Sequence, residues 1–329
     1  MESLPRIVIS MGDPAGVGPE IIAKAFAEPQ IRPYHATVVG DASIMQQALE
    51  RWAPRLTIHR VDSTQDEVQS DALNLIDLNN VSSLPTGPSR EGGSASVEYI
   101  QVAVREAMER RADAIVTAPI SKESIHLAGH FYPGHTELLA HLTGTPRTAL
   151  MLTGRRLRVV LATTHAPLSQ VSQILTQETL VETLRMTHHW LSCFVTDTPR
   201  IAVLGLNPHC GDGGIFGDEE ARVIVPAMEQ ARSMGIPSEG PFPADAFFSR
   251  NPECDAVIAM YHDQGMVPIK MEAQGQAVNI TLGLPIIRTS VDHGTAFDIA
   301  WKGTASAQSM QHVMRSASKL ASAQALSKQ

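Results

Sequence analysis

Three histidines share one sequence context, each lying at or just past the end of a short apolar run. His165 follows RVVLATT, His209 follows RIAVLGLNP and His262 follows DAVIAMY. They lack the local spacing of a zinc finger or an HExxH motif, so the pattern does not indicate a structural zinc site. Three neutral imidazoles with one open coordination position are typical of catalytic zinc, and other divalent ions accept them too. We predict that these residues bind one divalent ion, zinc or alternatively magnesium, cobalt or manganese; the alternative is three unrelated loop histidines.

A divalent ion at this position would suit the oxidation of an alcohol, because it polarises a hydroxyl and stabilises the oxygen anion that forms. Two carboxylates lie in nearby strings, Asp245 in PADAFF and Asp263 in YHDQG. Either one could orient a metal-bound imidazole or bind a substrate amine, and structural roles remain an open alternative. Lys122 in TAPISKE is a further candidate for proton handling or cofactor contact. We assign catalysis to Asp245 and Lys270, and the general base is left open.

Apolar runs rich in Val and Ile alternate along the chain with longer amphipathic stretches. Because the runs are continuous, they predict strands that are covered on both faces, and hence an α/β fold with mostly parallel sheets. In such sheets ligands bind at the carboxyl ends of strands. Polar strings follow five predicted strands and indicate one composite site. The predicted strands are 6–10, 36–40, 56–60, 113–119, 158–163, 200–206, 255–261 and 278–283, and the predicted helices are 18–28, 41–52, 93–112, 136–144, 176–193, 217–234 and 305–327.

The composition is that of a folded globular protein and excludes several classes of partner. The 329 residues suit two packed domains, with 43% hydrophobic and 18% charged residues. A net charge of −8 without a Lys/Arg block gives no electrostatic footprint for nucleic acid. No run approaches the ~20 apolar residues of a membrane span. Cys193, Cys210 and Cys254 lack paired spacing and the start MESLPRIVIS has no signal pattern, so we expect a cytoplasmic protein.

The segment RIVISMGDPAGVGPEII reads as a strand, a glycine-rich turn and the start of a helix. It is not the dinucleotide-binding GxGxxG motif, because Gly12, Gly16 and Gly18 have a different spacing, and no Walker A motif is present. Pro19 and Glu20 fit the first turn of a helix. Two interpretations stay open, namely a tight turn between strand and helix, and close approach of the backbone to a ligand.

Two of these strings resemble the isocitrate and isopropylmalate dehydrogenases. MGDPAGVGPE resembles their GDGIGPE turn, and DHGTAFDIAWKG at 292–303 resembles their HGSAPDIAGKG adenosine-binding loop. The resemblance implies a core domain of residues 1–125 and 275–329, and a second domain of residues 126–274 with the metal ligands and dimer contacts. It implies NAD held by loops without a Rossmann fingerprint, and an acidic residue at 292 favours NAD over NADP. The implied cofactor-binding residues are Gly12, Asp13, Gly16, Asp292, His293 and Gly294.

A closer resemblance, to the 4-hydroxythreonine-4-phosphate dehydrogenase family, covers essentially the whole chain. It runs from GDPAGVGPE through TAPISKE, YPGHTELL, ATTHAPL, GLNPHCGDGG, PADAFF and MYHDQG to VNITLGLPIIRTSVDHGTAFDIA. The family's metal-binding positions match the three histidines selected above. Its substrate-binding positions match His135, Thr136, Lys270, Asn279 and Arg288.

The residue types at these predicted substrate-binding positions are also compatible with structural roles. Arg288 and Lys270 suit a phosphate, although surface ion pairs are their usual role. Thr136 could bind an anion or cap the helix that begins TELLAHL. Asn279 could equally satisfy backbone groups at a strand end.

The family resemblance implies NAD-dependent oxidation of the C3 hydroxyl of 4-phosphooxy-L-threonine. Decarboxylation then yields 3-amino-2-oxopropyl phosphate, a precursor of pyridoxal phosphate. It also implies a homodimer with the active site at the subunit interface, where His262 completes a metal site of the neighbouring chain. The alternatives are a dehydrogenase of 4-phospho-D-threonate or 4-phospho-D-erythronate, a metal-dependent hydrolase, and a phosphometabolite-binding protein or acyltransferase on the same fold.

Overall fold

The computed structural model describes residues 4–28, 33–250 and 253–326. The strands are β1 (Arg6–Ser10), β2 (His35–Gly40), β3 (Thr57–Arg60), β4 (Ala72–Asp77), β5 (Ala114–Thr117), β6 (Ala149–Thr153), β7 (Arg158–Leu161), β8 (Ile201–Leu204), β9 (Glu239–Phe242), β10 (Ala256–Ala259), β11 (Val278–Leu282) and β12 (Ile287–Ser290). The α-helices are α1 (Gly18–Ala27), α2 (Ala42–Trp52), α3 (Arg90–Met108), α4 (Lys122–Leu127), α5 (His135–Leu142), α6 (Val171–Ile174), α7 (Gln177–Phe194), α8 (Val225–Ser233), α9 (Ala244–Ser249), α10 (His262–Ala273) and α11 (Gln308–Leu326). Among the described helices, none combines the length and apolarity that a bilayer crossing requires.

The chain divides into two compact units, and both chain termini belong to the same one. Unit 1 comprises residues 1–146 and 284–329, and unit 2 comprises residues 147–283. The sequence analysis placed these boundaries at 125 and 274. Unit 1 extends further because α4 and α5 pack against α3. Unit 2 extends to residue 283 because β11 pairs with β6.

Unit 1 contains a parallel sheet in the order β3, β4, β2, β1, β5, β12. Its central strands are buried on both faces, as shown by Val8 and Ile9 in β1 and by Ile115 and Val116 in β5, none of which is exposed. Such strands need a cover on each face, which parallel sheets obtain from their crossover helices. The continuous apolar runs of the sequence are explained by this burial.

Unit 2 contains a mixed sheet in the order β11, β6, β7, β10, β8, β9. β6 is antiparallel to both β11 and β7, whereas β7, β10, β8 and β9 are parallel to one another. Leu161, Leu204, Val257 and Ile269 belong to the core cluster of this unit. The three parallel strands β7, β10 and β8 are therefore neighbours with the same direction.

The α/β class and the mostly parallel sheets are confirmed, and each predicted strand and helix has a counterpart. β4, β6, β9, β12, α4, α6, α9 and α10 were not predicted. The predicted helix 217–234 is a π-helical turn over 220–224 followed by α8, and residue 327 of the predicted last helix lies outside the described residues.

Helix α10 was not predicted because its sequence contains residues that usually interrupt helices. HDQGMVPIKMEA contains Gly265 and Pro268, which normally indicate an interruption. The helix nevertheless forms, and its buried residues include Met266 and Ile269. A Cβ at Gly265 would lie 2.6 Å from Val159 Cγ1, so glycine allows the helix to lie directly on the sheet.

A buried carboxylate organises the carboxyl edge of the unit 1 sheet. Asp41, which precedes α2, accepts hydrogen bonds from the backbone N–H of Asn80 (2.8 Å) and Val81 (2.7 Å) and from the Tyr99 hydroxyl (2.5 Å). Both Asp41 and Tyr99 are fully buried. Burial raises the pKa of the Asp41 carboxyl, and these three hydrogen bonds act in the opposite direction.

We predict that Tyr99→Phe lowers the free energy of unfolding by about 1–3 kcal/mol, because the ring still packs but the buried carboxylate loses one donor. Urea denaturation measures the change. Tyr132→Phe is the matched control, since the Tyr132 hydroxyl makes no hydrogen bond within the described residues and its loss should have little effect. Equal stabilities of Tyr99→Phe and the parent chain would contradict the assignment.

Candidate functional site

The three predicted metal-binding histidines follow three neighbouring parallel strands of unit 2. His165 comes after β7, His262 is the first residue of α10 after β10, and His209 lies in the segment that follows β8. Strand β10 pairs in parallel with β7 on one side and with β8 on the other. The three histidine-bearing loops thus leave the same edge of one sheet, which is where α/β proteins bind ligands.

Two polar side chains join these three strand ends. Thr163 Oγ1 donates to the Met260 carbonyl (2.7 Å), which connects the loop after β7 to the end of β10. Gln264 Nε2 donates to the Gly205 carbonyl (2.7 Å), and its Oε1 accepts from the Met260 N–H (2.7 Å). Sequence reasoning did not single out Thr163 or Gln264, although both stand inside the polar strings TTHAP and YHDQG.

His165 and His262 form a pair within one chain. Their ring centroids are 5.8 Å apart, with an angle of 40° between the planes. His262 Nδ1 lies 2.7 Å from Asp263 Oδ1, so this carboxylate is placed to orient the imidazole. His209 lies against Phe216, with 6.4 Å between ring centroids.

The described residues of a single chain bring together no group of three His, Cys, Asp or Glu side chains that could hold a metal ion. The His165–His262 pair nevertheless offers two imidazole donors from adjacent strand ends, the donor type that zinc accepts. Binding of one ion by all three histidines stays a prediction.

The two residues assigned to catalysis lie on helices of unit 2. Asp245 is in the first turn of α9 and Lys270 is in α10, and both side chains are exposed. Burial raises the pKa of the Cys210 thiol, and the charges of Glu220 and Asp245 act in the same direction. A protonated thiol fits a packing role for Cys210. The catalytic roles of Asp245 and Lys270 stay predictions.

Unit 1 contains a buried cation next to predicted substrate-binding residues. Arg288 on β12 is 2% exposed, and its guanidinium donates to Thr117 Oγ1 from Nε (3.2 Å) and Nη2 (2.7 Å). Burial lowers the pKa of Arg288 to about 10, and the Glu137 carboxylate acts in the opposite direction. The guanidinium therefore stays charged at neutral pH and can attract an anion.

His135 begins helix α5 close to this cation. Its Nε2 atom is shut off from solvent and has no hydrogen-bond partner. Burial, followed by the Arg288 charge, lowers the pKa of His135 to about 3, so the ring is neutral. Because the ring already hydrogen-bonds the Ala118 backbone, Nε2 is its remaining acceptor.

The interpretation of Thr136 as a helix cap is wrong. Helix α5 starts at His135, and its N-cap is Gly134, which makes no side-chain capping bond. Thr136 therefore lies within the first turn of the helix, where backbone N–H groups are without helical partners. Its role as a substrate-binding residue stays a prediction.

The glycine-rich turn and the DHGTAFDIAWKG loop meet in unit 1. The Val17 N–H donates to the Thr295 carbonyl (2.9 Å), and a Cβ at Gly16 would lie 3.1 Å from Thr295 Cβ. The Trp301 indole N–H donates to the Pro14 carbonyl (3.1 Å). Two strings from opposite ends of the chain thus form one structural feature.

Glu20 holds the end of this loop. It is fully buried, and its carboxylate accepts from the backbone N–H of Gly303 (3.3 Å) and Ala305 (3.1 Å). Lys24 Nζ donates to Glu20 Oε1 (2.7 Å) and to the Gly303 and Ala305 carbonyls. The sequence analysis placed Glu20 only in the first turn of a helix, because its loop partner is remote in the chain.

The predicted cofactor residues fall into a packed group and an open group. Gly12 (φ 77°) leaves no room for a Cβ beside the Pro119 carbonyl, and Asp13 is fully buried and accepts from the Ala15 N–H (3.0 Å). His293 and Gly294 are exposed, and no atom lies within 4 Å of a Cβ built on Gly294. Direct contacts of either group with a cofactor stay predictions.

Comparison with known proteins identifies the family. The family model described as pyridoxal phosphate biosynthetic protein PdxA matches residues 33–317. The chain belongs to the PdxA family. It is 48% identical over 326 residues to a 4-hydroxythreonine-4-phosphate dehydrogenase of Geobacter metallireducens, covering 96% of each chain. It is 42% identical over 329 residues to a D-threonate 4-phosphate dehydrogenase of Cupriavidus necator, covering 98% of this chain and 99% of the relative.

A solved structure of the same family shares the fold. The crystal structure of a 4-hydroxythreonine-4-phosphate dehydrogenase from Klebsiella pneumoniae superimposes with a TM-score of 0.90 at 41% identity, covering 96% of this chain and 99% of that one. This PdxA-family chain is accordingly an oxidoreductase that acts on a CH–OH group. The expectation of a dehydrogenase is confirmed.

The neutral state of His135 in this PdxA-family protein predicts a pH-dependent stability. The unfolded side chain has a pKa of about 6.5, so the unfolded chain takes up this proton first as the pH falls. The folded state therefore has its full stability, as far as His135 is concerned, above about pH 6.5. It loses stability as the pH falls from 6.5 towards 3, because only the unfolded chain takes up the proton. We expect this difference to contribute about 1.4 kcal/mol per pH unit to the slope of the unfolding free energy between pH 6 and pH 4.

His135→Gln should remove this contribution, so its slope between pH 6 and pH 4 should be shallower than that of the parent chain. Urea denaturation at a series of pH values measures both slopes. Identical slopes would show that His135 takes up its proton equally well in the folded and unfolded chains.

Proposed function

We propose that this dehydrogenase oxidises the C3 hydroxyl of 4-phosphooxy-L-threonine with NAD. The hydride passes to the nicotinamide and the hydroxyl proton to a base. The resulting β-keto acid loses carbon dioxide and yields 3-amino-2-oxopropyl phosphate. The family membership supports this reaction, as does the identity of 48% to a relative named 4-hydroxythreonine-4-phosphate dehydrogenase.

Two predicted substrate-binding residues, one in each unit, contain a buried acceptor atom. His135 Nε2 and Asn279 Oδ1 are both shut off from solvent without a hydrogen-bond partner. An unfilled buried acceptor costs about 1–3 kcal/mol, so such atoms are expected where a ligand supplies the donors. Both belong to residues that match the family's substrate positions. Hydroxyl or ammonium groups of a substrate can supply these donors. The identity of 48% to a relative named 4-hydroxythreonine-4-phosphate dehydrogenase, against 42% to one named D-threonate 4-phosphate dehydrogenase, is why we prefer the amino substrate.

The phosphate is assigned to the cation of unit 1. Arg288 is buried and charged, and its planar guanidinium can form paired hydrogen bonds to phosphate oxygens. The first turn of α5, with Thr136, adds backbone N–H groups of the kind that bind anions. Lys270 of unit 2 is an exposed cation, and we propose that it is also a substrate-binding residue.

The metal is assigned to His165, His209 and His262, with zinc as the proposed ion. When bound, a divalent ion polarises the substrate hydroxyl and the ketone that replaces it. Asp263 holds the His262 ring through Nδ1, which leaves Nε2 for a ligand role.

The nicotinamide cofactor is assigned to unit 1. The open segment from Asp292 to Gly294 provides space beside the glycine-rich turn, which the loop contacts hold in place. An acidic side chain at 292 suits ribose hydroxyls and disfavours a 2′-phosphate, so we propose NAD over NADP.

We propose a homodimer whose subunits share the metal site. Large apolar side chains are exposed close in sequence to each histidine: Leu168 near His165, Ile215 near His209, and Met271 near His262. Exposed apolar groups of this kind mark interaction surfaces. A second copy of the chain would cover them and bring additional histidines to the strand ends.

This surface leads to a prediction about assembly. Ile215→Lys should weaken dimerisation at least about tenfold, because an unpaired ammonium would be buried in an apolar interface. Sedimentation equilibrium measures the dissociation constant. Met234→Lys is the matched control, since Met234 is an exposed apolar residue of unit 2 in a sequence segment remote from the three histidines. A purely monomeric parent chain would contradict the shared site.

The free state of Cys193, Cys210 and Cys254 fits a reducing compartment. We therefore propose that the protein acts in the cytoplasm.

The reaction is tested by measuring NAD reduction with 4-phosphooxy-L-threonine and with 4-phospho-D-threonate, each with and without a chelator. We expect a higher kcat/KM for the amino substrate and loss of turnover with the chelator. His209→Ala should lower kcat by at least about 100-fold.

His189→Ala serves as the control, because His189 is an exposed histidine of helix α7 in the same unit and should leave turnover unchanged. A higher kcat/KM for 4-phospho-D-threonate would contradict the proposed substrate. It would assign the chain the substrate named for the D-threonate 4-phosphate dehydrogenases instead. Full activity of His209→Ala in the presence of chelator would refute a catalytic metal.

A further inference from the structure

The segment that carries His209 has a left-handed backbone. The φ angles are 54° at His209, 55° at Cys210, 82° at Gly211, 43° at Asp212 and 66° at Gly213. Consecutive left-handed residues are rare because a Cβ then crowds the following carbonyl oxygen, and three of these five residues have a Cβ. Neighbouring contacts must therefore hold the segment in this conformation.

The carboxylate of Glu220 makes contacts of this kind. Its Oε1 accepts from the backbone N–H of Leu206 (2.8 Å) and of Asn207 (2.8 Å), and its Oε2 accepts from Asn207 Nδ2 (2.9 Å). Leu206 and Asn207 are the residues through which the chain leaves β8 and enters the left-handed segment. Glu220 is 5% exposed, and it forms no ion pair in the part of the chain that the structure describes.

Three glycines pack closely around this carboxylate and its partners, so a Cβ at any of them would displace a neighbouring atom. A Cβ at Gly205 would lie 3.0 Å from Glu220 Oε1 and 2.7 Å from Cys210 Sγ. A Cβ at Gly211 would lie 2.7 Å from the Gly217 carbonyl oxygen, and one at Gly217 would lie 2.5 Å from Asn207 Nδ2. The segment is thus packed against the carboxylate from several sides.

Glu220 also begins an unusual helical turn. Residues 220–224 are π-helical and continue directly into α8. Single π-helical turns are rare and frequently occur at functional sites. Two rare backbone conformations, one on each side of the carboxylate, meet at this buried side chain.

We propose that Glu220 is a positioning residue that sets the place of the His209 imidazole for metal binding. The carboxylate binds the backbone just before His209 and so fixes where this side chain starts. Groups that orient a metal ligand in this way commonly change metal affinity by about 10–100-fold when they are lost. The inference rests on the proposed metal-binding role of His209.

The adjacent residue supplies a matched control. Glu219 is half-exposed, and among the described residues its carboxylate accepts only from Asn207 Nδ2 (2.7 Å). A glutamine at 219 keeps an oxygen that can accept this bond. A glutamine at 220 keeps one oxygen for the two backbone N–H groups, but its NH2 then faces the Asn207 NH2. A donor meets a donor, so the side chain must shift away from the backbone that it holds.

The test compares Co²⁺ binding by the parent chain, Glu220→Gln and Glu219→Gln, followed by visible absorption in titrations of the purified dimer. We expect Glu220→Gln to bind Co²⁺ at least about tenfold more weakly and with an altered absorption spectrum, whereas Glu219→Gln stays within about twofold of the parent. Hydrogen exchange of the metal-free proteins gives a second readout: the peptide over 205–217 should exchange faster in Glu220→Gln only.

Equal Co²⁺ affinity and spectrum in Glu220→Gln and the parent chain would overturn the inference and leave the proposed function intact. Equal losses in both glutamine variants would overturn it as well. A parent chain that binds no Co²⁺ would refute the metal site itself, and this inference with it. If circular dichroism shows that Glu220→Gln does not fold, the Co²⁺ titration is repeated with Asn207→Ala, which removes the side-chain donor to Glu220 Oε2. Weaker Co²⁺ binding by Asn207→Ala supports the inference, and unchanged binding overturns it.

Discussion

Buried carboxylates that accept backbone N–H groups hold the strand-end loops of this protein. Asp41 binds the loop after β4, Glu20 binds the end of the DHGTAFDIAWKG loop, and Glu220 binds the chain after β8. A buried carboxylate is costly unless several donors satisfy it, and hydrogen bonds to a charged acceptor are stronger than those between neutral groups. Each loop is therefore held by a buried carboxylate, and the charge of that carboxylate is in turn stabilised by the backbone N–H groups of the loop.

The buried carboxylates differ in their hydrogen bonding from two of the predicted substrate-binding residues. The oxygens of Glu20 and Glu220 are occupied by donors from the chain itself, whereas His135 Nε2 and Asn279 Oδ1 have none. Parallel strands place their carboxyl ends at one edge, and the carboxylates then fix the loops that leave this edge. The proposed function assigns donors of the substrate to these two acceptors.

Much of this arrangement was predictable from local patterns. The apolar runs before His165, His209 and His262 identified three strands, and polar strings at their ends indicated a site. Helix α10 was not predicted, because Gly265 reads as a breaker until the sheet beneath it is known. Of the two alternatives for Thr136, anion binding and helix capping, the cap is wrong because the helix begins at His135, after Gly134.

The sequence by itself determined the α/β class, the residues at the strand ends and the family, because these depend on short periodic runs and long polar strings. Only the tertiary structure decided that β7, β10 and β8 are neighbours, and that His165 pairs with His262. It also decided that Glu20 and Glu220 act as buried acceptors for loops elsewhere in the chain. Strand order and the satisfaction of buried polar groups are set by contacts between distant segments, and no local pattern encodes them.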